Sequence, residues 1–290
     1  PARASPPLKS SVFQNCTALS ASALLAVSLL SGSLALLQPN PAGSAIDWWP
    51  FIYRNHYAAF VLLLLPPLCW HAFAQAKFHW GAAVGVVAGI AGVVGSASRS
   101  GIALLALTLG MLGLLIWLQS QRAKRRYVLA ATLGIAAMGA LLANSDGISW
   151  RLQHGGSMLE GRLDYWQATF RMIAERPLLG WGFGTWPDVY PQFLIRDAGI
   201  PVNRAHSDWL EFFAEGGFLP VLALGVLGAR SLWLAFRHPW SMGVPAVLLL
   251  AMADYPLRLP ILLLAIVAVY VTAEFTERRT AGTAIRSRDA

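Results

Sequence analysis

Long runs of apolar residues with almost no charge restrict this chain to membrane folds. Apolar side chains make up 56% of the 290 residues and charged ones only 12%, unlike a soluble domain of this length. A membrane-spanning helix needs about 20 mostly apolar residues. We therefore expect an all-α, polytopic transmembrane bundle of about eight spans, the seventh short enough to be re-entrant. The predicted spans are residues 17–37, 57–76, 80–98, 101–118, 127–143, 217–236, 241–254 and 259–275.

The distribution of positive charge indicates how these spans are oriented. A formal charge of +8 would suggest nucleic-acid binding in a soluble protein. Here the basic residues occupy short loops, where the positive-inside bias explains many of them, so no nucleic-acid partner is expected. The densest basic cluster, residues 121–126, predicts a cytoplasmic connection, and an even number of spans puts both termini on that side. The outer face then carries residues 38–56, 98–101, 144–216 and 254–260.

The long segment 144–216 divides the chain into three expected parts. Residues 1–143 hold the first five spans, residues 144–216 form a helical loop on the outer face, and residues 217–290 hold the last three spans and a cytoplasmic tail. A connection of this length is rarely idle, so we expect it to be functional. It should lie on the membrane surface as a helical cap.

Local signals predict three helices in this loop. A capping box of the form S-x-x-E begins at Ser157 and leads into an apolar stripe, which predicts an amphipathic helix that ends at Pro177. The glycines of residues 180–184 predict a flexible turn. A short helix should follow as far as about Asp197. A third helix should start near His206 and run into the sixth span.

Every basic residue expected on the outer face, apart from histidine, is an arginine. A guanidinium group stays charged and grips phosphate through two parallel hydrogen bonds, so a diphosphate is the ligand we expect. Arg54, Arg99 and Arg258 stand out because each lies at a helix end beside the bilayer, where an ionisable group is costly unless it is paired or used. Snorkelling, or neutralisation by acids such as Asp47 and Asp254, is the alternative. The outer arginines are Arg54, Arg99, Arg151, Arg162, Arg171, Arg176, Arg196, Arg204 and Arg258.

Two histidines are expected on the same face. His206 stands at or just before a helix N-terminus, whose partial positive charge favours the neutral imidazole. A neutral imidazole with a pKa near ambient pH can take the proton of a hydroxyl that attacks a sugar carbon. A capping or surface role is the alternative. His56 is similarly placed at the outer end of the second span. Any of six carboxylates could orient His206: Glu160, Asp164, Asp208, Glu211, Glu215 or Asp254.

The sequence predicts neither a metal site nor a cofactor site. It contains no HExxH motif, no cysteine–histidine metal spacing, no D-x-D pair for a metal-bound nucleotide sugar and no Walker lysine. The glycines of residues 180–184 superficially resemble a dinucleotide loop, but no strand precedes them. Cys16 and Cys69 lie in apolar stretches, so we interpret both as packing residues.

Three stretches of the chain match a known protein family, in an order and at a spacing that are hard to obtain by chance. They are Arg54-Asn55-His56-Tyr57 at a helix start, Ser98-Arg99-Ser100-Gly101 at a hairpin, and a long run from Gly161-Arg162 through Glu175-Arg176-Pro177 to His206-Ser207-Asp208. In these features the chain resembles the O-antigen ligase and polymerase superfamily of bacterial envelope proteins, over residues 48–270. Residues 254–260 also match a late segment that is found in some members of that superfamily.

The resemblance implies a membrane-embedded, inverting glycosyltransferase that needs no metal. Such enzymes take a glycan from undecaprenyl diphosphate at the periplasmic face of the inner membrane and join it to lipid A core, to another repeat unit or to a protein. The family's base corresponds to His206 and its diphosphate-binding arginines to Arg54 and Arg99. Family members have more spans than this chain, so N-terminal helices are expected to be missing. Second-rank candidates for substrate contacts are His56, Arg162, Arg204 and Arg258.

The main expectation is an O-antigen ligase with an undecaprenyl diphosphate-linked donor, lipid A core as acceptor and membrane lipids around it. A polymerase that extends the glycan on its lipid carrier shares every motif and is the nearest alternative. A secondary transporter of an anionic solute is a weaker one. It should place charges near the middle of the bilayer and show internal repeats, whereas the spans here are nearly free of charge.

Overall fold

The computed structural model describes residues 51, 53–74, 79–96, 98–119, 132, 134, 156–196, 199 and 201–286. Within these ranges the chain is helical and contains no strand. Trp70–Ala74 extends the first helix as a π-helical turn, and Tyr190–Phe193, Pro239–Ser241 and Pro256–Arg258 are 3₁₀ turns. The helices are α1 (Arg54–Cys69), α2 (Trp80–Gly95), α3 (Arg99–Gln119), α4 (Gly156–Glu175), α5 (Trp186–Val189), α6 (Asp208–Gly216), α7 (Phe218–Arg237), α8 (Gly243–Leu250) and α9 (Pro260–Arg286).

Four of these helices are long and apolar enough to cross a membrane, so the chain is an integral membrane protein. They are Arg54–Ala74, Arg99–Leu118, Phe218–Arg237 and Pro260–Gly282, and the apolar helices Trp80–Gly95 and Pro239–Leu250 are shorter. Together they correspond to six of the predicted spans. The predicted span 17–37 lies outside the described residues, as does 127–143 apart from two positions. The all-helical membrane fold is confirmed, whereas the total of about eight spans stays a prediction.

Helix α1 is the centre of the bundle. Of its most apolar stretch 78% is buried, against 17% for α7 and 22% for α9. Its side chains Leu62 and Leu63 are fully buried, and a Cβ on Gly243 would overlap the backbone of α1 at Leu63. Helix α8 therefore approaches α1 closely, while α7 and α9 lie at the periphery.

The seventh predicted span ends earlier than the sequence indicates. Residues 241–254 were expected to be one apolar segment, but α8 stops at Leu250. The carbonyls of Ala251 and Asp254 each accept a hydrogen bond from the Asp208 backbone N–H at 2.9 Å, and Pro256 disfavours helix in the residue before it. Two backbone carbonyls of this turn therefore bond to α6 instead of continuing helix α8. Residues 251–258 hold α6 against the bundle.

The outer loop packs around a small core of its own. Met172 from α4, Trp186 from α5 and Ala214 from α6 are completely buried in it. Helix α4 ends before Pro177, as the proline predicts, and starts at Gly156, two residues earlier than a capping box at Ser157 implies. The short helix and its 3₁₀ extension end at Phe193, four residues before the predicted Asp197.

Candidate functional site

Five aromatic rings from four parts of the chain meet beside the start of α1. Tyr53 and His56 belong to that start, Tyr165 to α4, His206 to the segment before α6, and Tyr255 to the turn between α8 and α9. Ring centroids are 4.7 Å apart for His56 and Tyr255, 5.3 Å for His206 and Tyr255, and 6.1 Å for His206 and Tyr165. Tyr53 stacks on Tyr255 at 5.9 Å. We call these five residues the ring cluster.

His206 has the most unusual environment in the ring cluster. Its φ of 53° makes it the one non-glycine residue with a positive φ in the described part of the chain, a conformation that costs free energy and is enriched at functional sites. Its Nδ1 is buried and has no hydrogen-bond partner among the described residues. Burial, and then the nearby charge of Arg162, lower the pKa of the ring to about 4. The imidazole is therefore neutral at neutral pH, as expected, but burial rather than the helix terminus is the main cause.

His56 is the second histidine of the ring cluster. Its side chain is 6% exposed, and within the part of the chain that the structure describes its buried Nε2 has no hydrogen-bond partner. A buried polar atom without a partner costs about 1–3 kcal/mol, and such an atom in a folded protein calls for an explanation. Two imidazole nitrogens, one on each histidine, are therefore buried here without a hydrogen bond to the described part of the chain.

A polar network fixes the ring cluster to the bundle. Arg162 of α4 donates to the Tyr53 hydroxyl at 3.1 Å and to the Ala253 carbonyl at 2.9 Å, and it lies 3.6 Å from the buried carboxylate of Asp254. Asn55 donates to Asp254 and accepts from the Ser98 hydroxyl at 2.6 Å. The start of α1, the α2–α3 hairpin, α4 and the turn after α8 are thereby tied together.

A second network surrounds Arg258. Asp208, Glu211 and Glu215 lie on one face of α6, because their spacing of three and four residues matches the helix period, and all three side chains are fully buried. Arg258 is 2.9 Å from Glu211, 2.6 Å from Glu215 and 3.8 Å from Asp208. Arg204 pairs with Glu211 at 2.8 Å. We call the three acids the carboxylate row.

The three acids of the carboxylate row are not equivalent. Asp208 accepts the Leu257 backbone N–H at 2.7 Å through one oxygen, while its other oxygen is buried and forms no hydrogen bond with any described residue. Burial raises the pKa of Asp208 to about 8. A carboxyl group with that pKa is largely protonated at neutral pH, so Arg258 and Arg204 are left to balance Glu211 and Glu215.

A family model described as O-antigen ligase matches residues 84–225. Over these residues the chain is similar to the O-antigen ligase family. The matched region runs from α2 to the first part of α7 and contains His206, Arg99, Arg162 and Arg204. No curated protein and no solved structure matches the chain. The expected family is thus confirmed, and it supports an O-antigen ligase or polymerase-like enzyme that acts on lipid-linked glycans in a membrane.

The structure brings several of the predicted site residues together. His206, His56 and Arg162 meet in or beside the ring cluster. Arg54 follows Tyr53 directly and begins α1, and Arg99 follows Ser98 directly and begins α3, where its side chain is exposed. Arg204 is 36% exposed beside the carboxylate row, and Arg258 is only 18% exposed within it.

Four residues of the site were not predicted as site residues from the sequence: Tyr53, Asn55, Tyr165 and Tyr255. Each is next to a flagged residue in sequence or, for Tyr165, one helical turn from Arg162. This proximity to a predicted site residue is the sequence feature that could have identified them. Among the described residues no group of three or more histidine, cysteine, aspartate or glutamate side chains is arranged to hold a metal ion.

Proposed function

We propose that this chain transfers a glycan from undecaprenyl diphosphate to a hydroxyl of lipid A core at the periplasmic face of the bacterial inner membrane, with inversion at the anomeric carbon. His206 is the base in this reaction. The observation that carries the proposal is its neutral imidazole, which is held in a costly backbone conformation with Nδ1 buried and unpartnered. Similarity to the O-antigen ligase family supplies the class of substrate.

The basicity of His206 fits this role once a substrate is bound. A ring with a pKa of about 4 is a weak base in the free protein. A diphosphate beside it adds negative charge, and a nearby opposite charge favours the imidazolium and raises the pKa of the ring. The donor would therefore bring the base towards the range in which it accepts the acceptor's proton efficiently.

Arg54 and Arg99 hold the diphosphate in this proposal and stabilise the charge that develops as it leaves. Support comes from chain adjacency: each arginine is one residue from a member of the network around the ring cluster, Tyr53 or Ser98. His56 offers a hydrogen bond from its unpartnered Nε2 to the donor or the acceptor.

The remaining candidates, Arg162, Arg204 and Arg258, differ in their exposure and in their ion pairs, and therefore in how well they could contact substrate. Arg162 orients the cluster and, at 23% exposure, can also reach a bound phosphate. Arg204 is the more exposed of the two arginines at the carboxylate row and stays a candidate for substrate contact. Arg258 is engaged by three carboxylates, which favours a structural role. No metal or cofactor takes part in the proposed reaction.

The proposed division into 1–143, 144–216 and 217–290 gives the middle part the task of covering the site. Helices α4, α5 and α6 would lie over the donor and exclude water that would otherwise hydrolyse it. The last residues of this part carry His206 and the carboxylate row.

A transfer assay in proteoliposomes tests the proposal and separates it from its nearest alternative. Purified protein would receive a polyprenyl diphosphate glycan together with either lipid A core or a second lipid-linked repeat unit. We expect glycan-modified lipid A core. A longer glycan on the carrier lipid would identify a polymerase instead. Failure of both acceptors with a correctly inserted protein would overturn the proposal.

A further inference from the structure

The turn between α4 and α5 presents large apolar side chains to the outside of the protein. Leu178 is 73% exposed, Leu179 83% and Phe183 66%. We call residues 177–184 the apolar turn. Isolated apolar side chains are common on surfaces, but three large ones within six residues form a patch that needs a partner.

The apolar turn is firmly built. Trp181 and Gly182 donate backbone hydrogen bonds to the carbonyls of Ala214 and Glu215 at 2.9 and 2.8 Å. The Trp181 indole donates to the Met172 carbonyl at 2.9 Å, and Arg176 stacks on its ring. The exposed side chains are therefore held in place by α4 and α6.

Its position is fixed at the N-terminal end of a membrane-spanning helix. A Cβ on Gly217 would overlap the Leu178 carbonyl, and one on Gly216 would meet the Phe183 ring at 2.7 Å. The next residue, Phe218, begins α7 and is itself 50% exposed. The apolar turn thus continues the exposed apolar surface of α7.

The length of α7 indicates what covers this surface. The part of α7 without charge, residues 218–229, is about 18 Å long at 1.5 Å per residue. The hydrocarbon layer is about 30 Å thick. The exposed apolar surface of α7 continues beyond the Arg230–Glu274 ion pair to Leu232 and Phe236. The 20 residues of α7 are about 30 Å long, so Phe218 and the apolar turn packed beside it lie at the outer boundary of the layer.

We propose that the apolar turn is a lipid wedge, which enters the hydrocarbon layer beside the N-terminal end of α7 and contacts the acyl chains of bilayer lipids through Leu178, Leu179 and Phe183. The wedge anchors the C-terminal end of α6 to the bilayer. It thereby sets the height of the segment that carries His206. The inference does not depend on the chemistry of the site.

Spin-label accessibility in vesicles tests this inference. In a background of Cys16→Ala and Cys69→Ala, a nitroxide would be attached to Leu179→Cys after reconstitution into phosphatidylcholine–phosphatidylglycerol vesicles. Collision with oxygen, which partitions into lipid, would be compared with collision with a water-soluble nickel chelate. Val226→Cys, at a 62% exposed position in α7, is the lipid reference, and Asp188→Cys, on the exposed polar side of α5, is the water reference.

We expect the Leu179 label to show an oxygen-to-nickel collision ratio several-fold above that of Asp188 and close to that of Val226. Leu178→Cys repeats the measurement if the first variant does not fold. A ratio equal to that of Asp188 would overturn the inference, since the turn would then lie in water. Protection from both reagents would also overturn it, because protein such as a second copy would then cover the turn. Neither result bears on glycan transfer.

Discussion

The left-handed backbone of His206 places an imidazole where few side chains are tolerated. The surrounding structure must supply the free energy for this, and it does so through Ser207, which caps α6 by accepting the Leu210 N–H at 3.3 Å, and through the ring contacts to Tyr165 and Tyr255. The chain thus holds one particular ring in one orientation. A residue with only a capping role would not need that orientation.

The pH dependence of glycan transfer should report the environment of His206. Below its pKa the ring is protonated and cannot accept a proton, so the rate falls as pH decreases. The acid limb of kcat/KM, which reports the free enzyme, should lie near pH 4. The acid limb of kcat should lie higher because the bound diphosphate raises the pKa. A kcat/KM limb at about 6.5, the ordinary histidine value, would contradict the burial argument.

Arg258 should matter more for stability than for substrate binding. Replacing it by Gln leaves the buried carboxylates of Glu211 and Glu215 without their main cation, which in other buried pairs costs about 3–5 kcal/mol. Thermal unfolding in detergent should show a large loss, and Arg204→Gln, at a more exposed position, a smaller one. An Arg258→Gln variant with unchanged unfolding temperature but a raised KM for the donor would show instead that Arg258 binds substrate.

The charged residues of the site could be predicted from the sequence, but the aromatic residues around them could not. His206, Arg162 and Asp254 stand out because charged or titratable side chains are rare at the ends of apolar spans. Tyr53 and Tyr255 do not stand out, since tyrosine is common at membrane interfaces. Their stacking depends on bringing together residues about 200 positions apart, which no local pattern encodes.

Helix α6 couples the site to the membrane bundle through the carboxylate row. One end of α6 carries His206, its buried face meets Arg258 and the turn before α9, and its C-terminal end receives the apolar turn. Because three segments converge on the nine residues of α6, a change in the charge state of this face should affect the stability of the whole loop.

Asp208→Asn should make the protein more stable at high pH. The folded-state pKa of Asp208 is raised to about 8, above the unfolded value of 3.8, so the folded state binds the proton more tightly. The stability linked to that proton is present at low pH and lost as pH rises through 8. Asparagine stays neutral and can still accept the Leu257 N–H. The unfolding temperature of the variant minus that of the wild type should therefore increase from pH 5 to pH 9. Each kcal/mol of difference in unfolding free energy should correspond to roughly 2–4 °C.

Parallel pH profiles for Asp208→Asn and the wild type would contradict this account of the carboxylate row. Asp188→Asn is the matched control, since Asp188 is exposed on α5. It should leave the profile unchanged.

Helix positions followed from hydropathy and capping rules, and the exceptions have physical reasons. The predicted 217–236 and the observed α7, Phe218–Arg237, differ by one residue at each end. Helix α9 continues to Arg286, well past the predicted 275, because its last turns are polar and a hydropathy window cannot follow them. Helix α8 is shorter because its following carbonyls bond to α6, a tertiary effect.

If the site faces the periplasm, the outer loop and the basic connection lie on opposite sides of the membrane. Asp188→Cys should react with a membrane-impermeant maleimide in intact spheroplasts. Ala123→Cys, within the basic cluster, should react only after the membrane is permeabilised. The reverse pattern would place the ring cluster in the cytoplasm, where no periplasmic acceptor could reach it.

In the proposed reaction the His206 imidazole removes the acceptor's proton during glycan transfer. The most direct measurement is the initial rate of transfer in proteoliposomes by the wild type, His206→Ala and His206→Asn, since asparagine tolerates the left-handed backbone. We expect both variants to insert and fold, and their rates to fall by about 10²–10⁴. A His206→Asn rate within a few-fold of the wild type would contradict the claim and remove His206 from the mechanism.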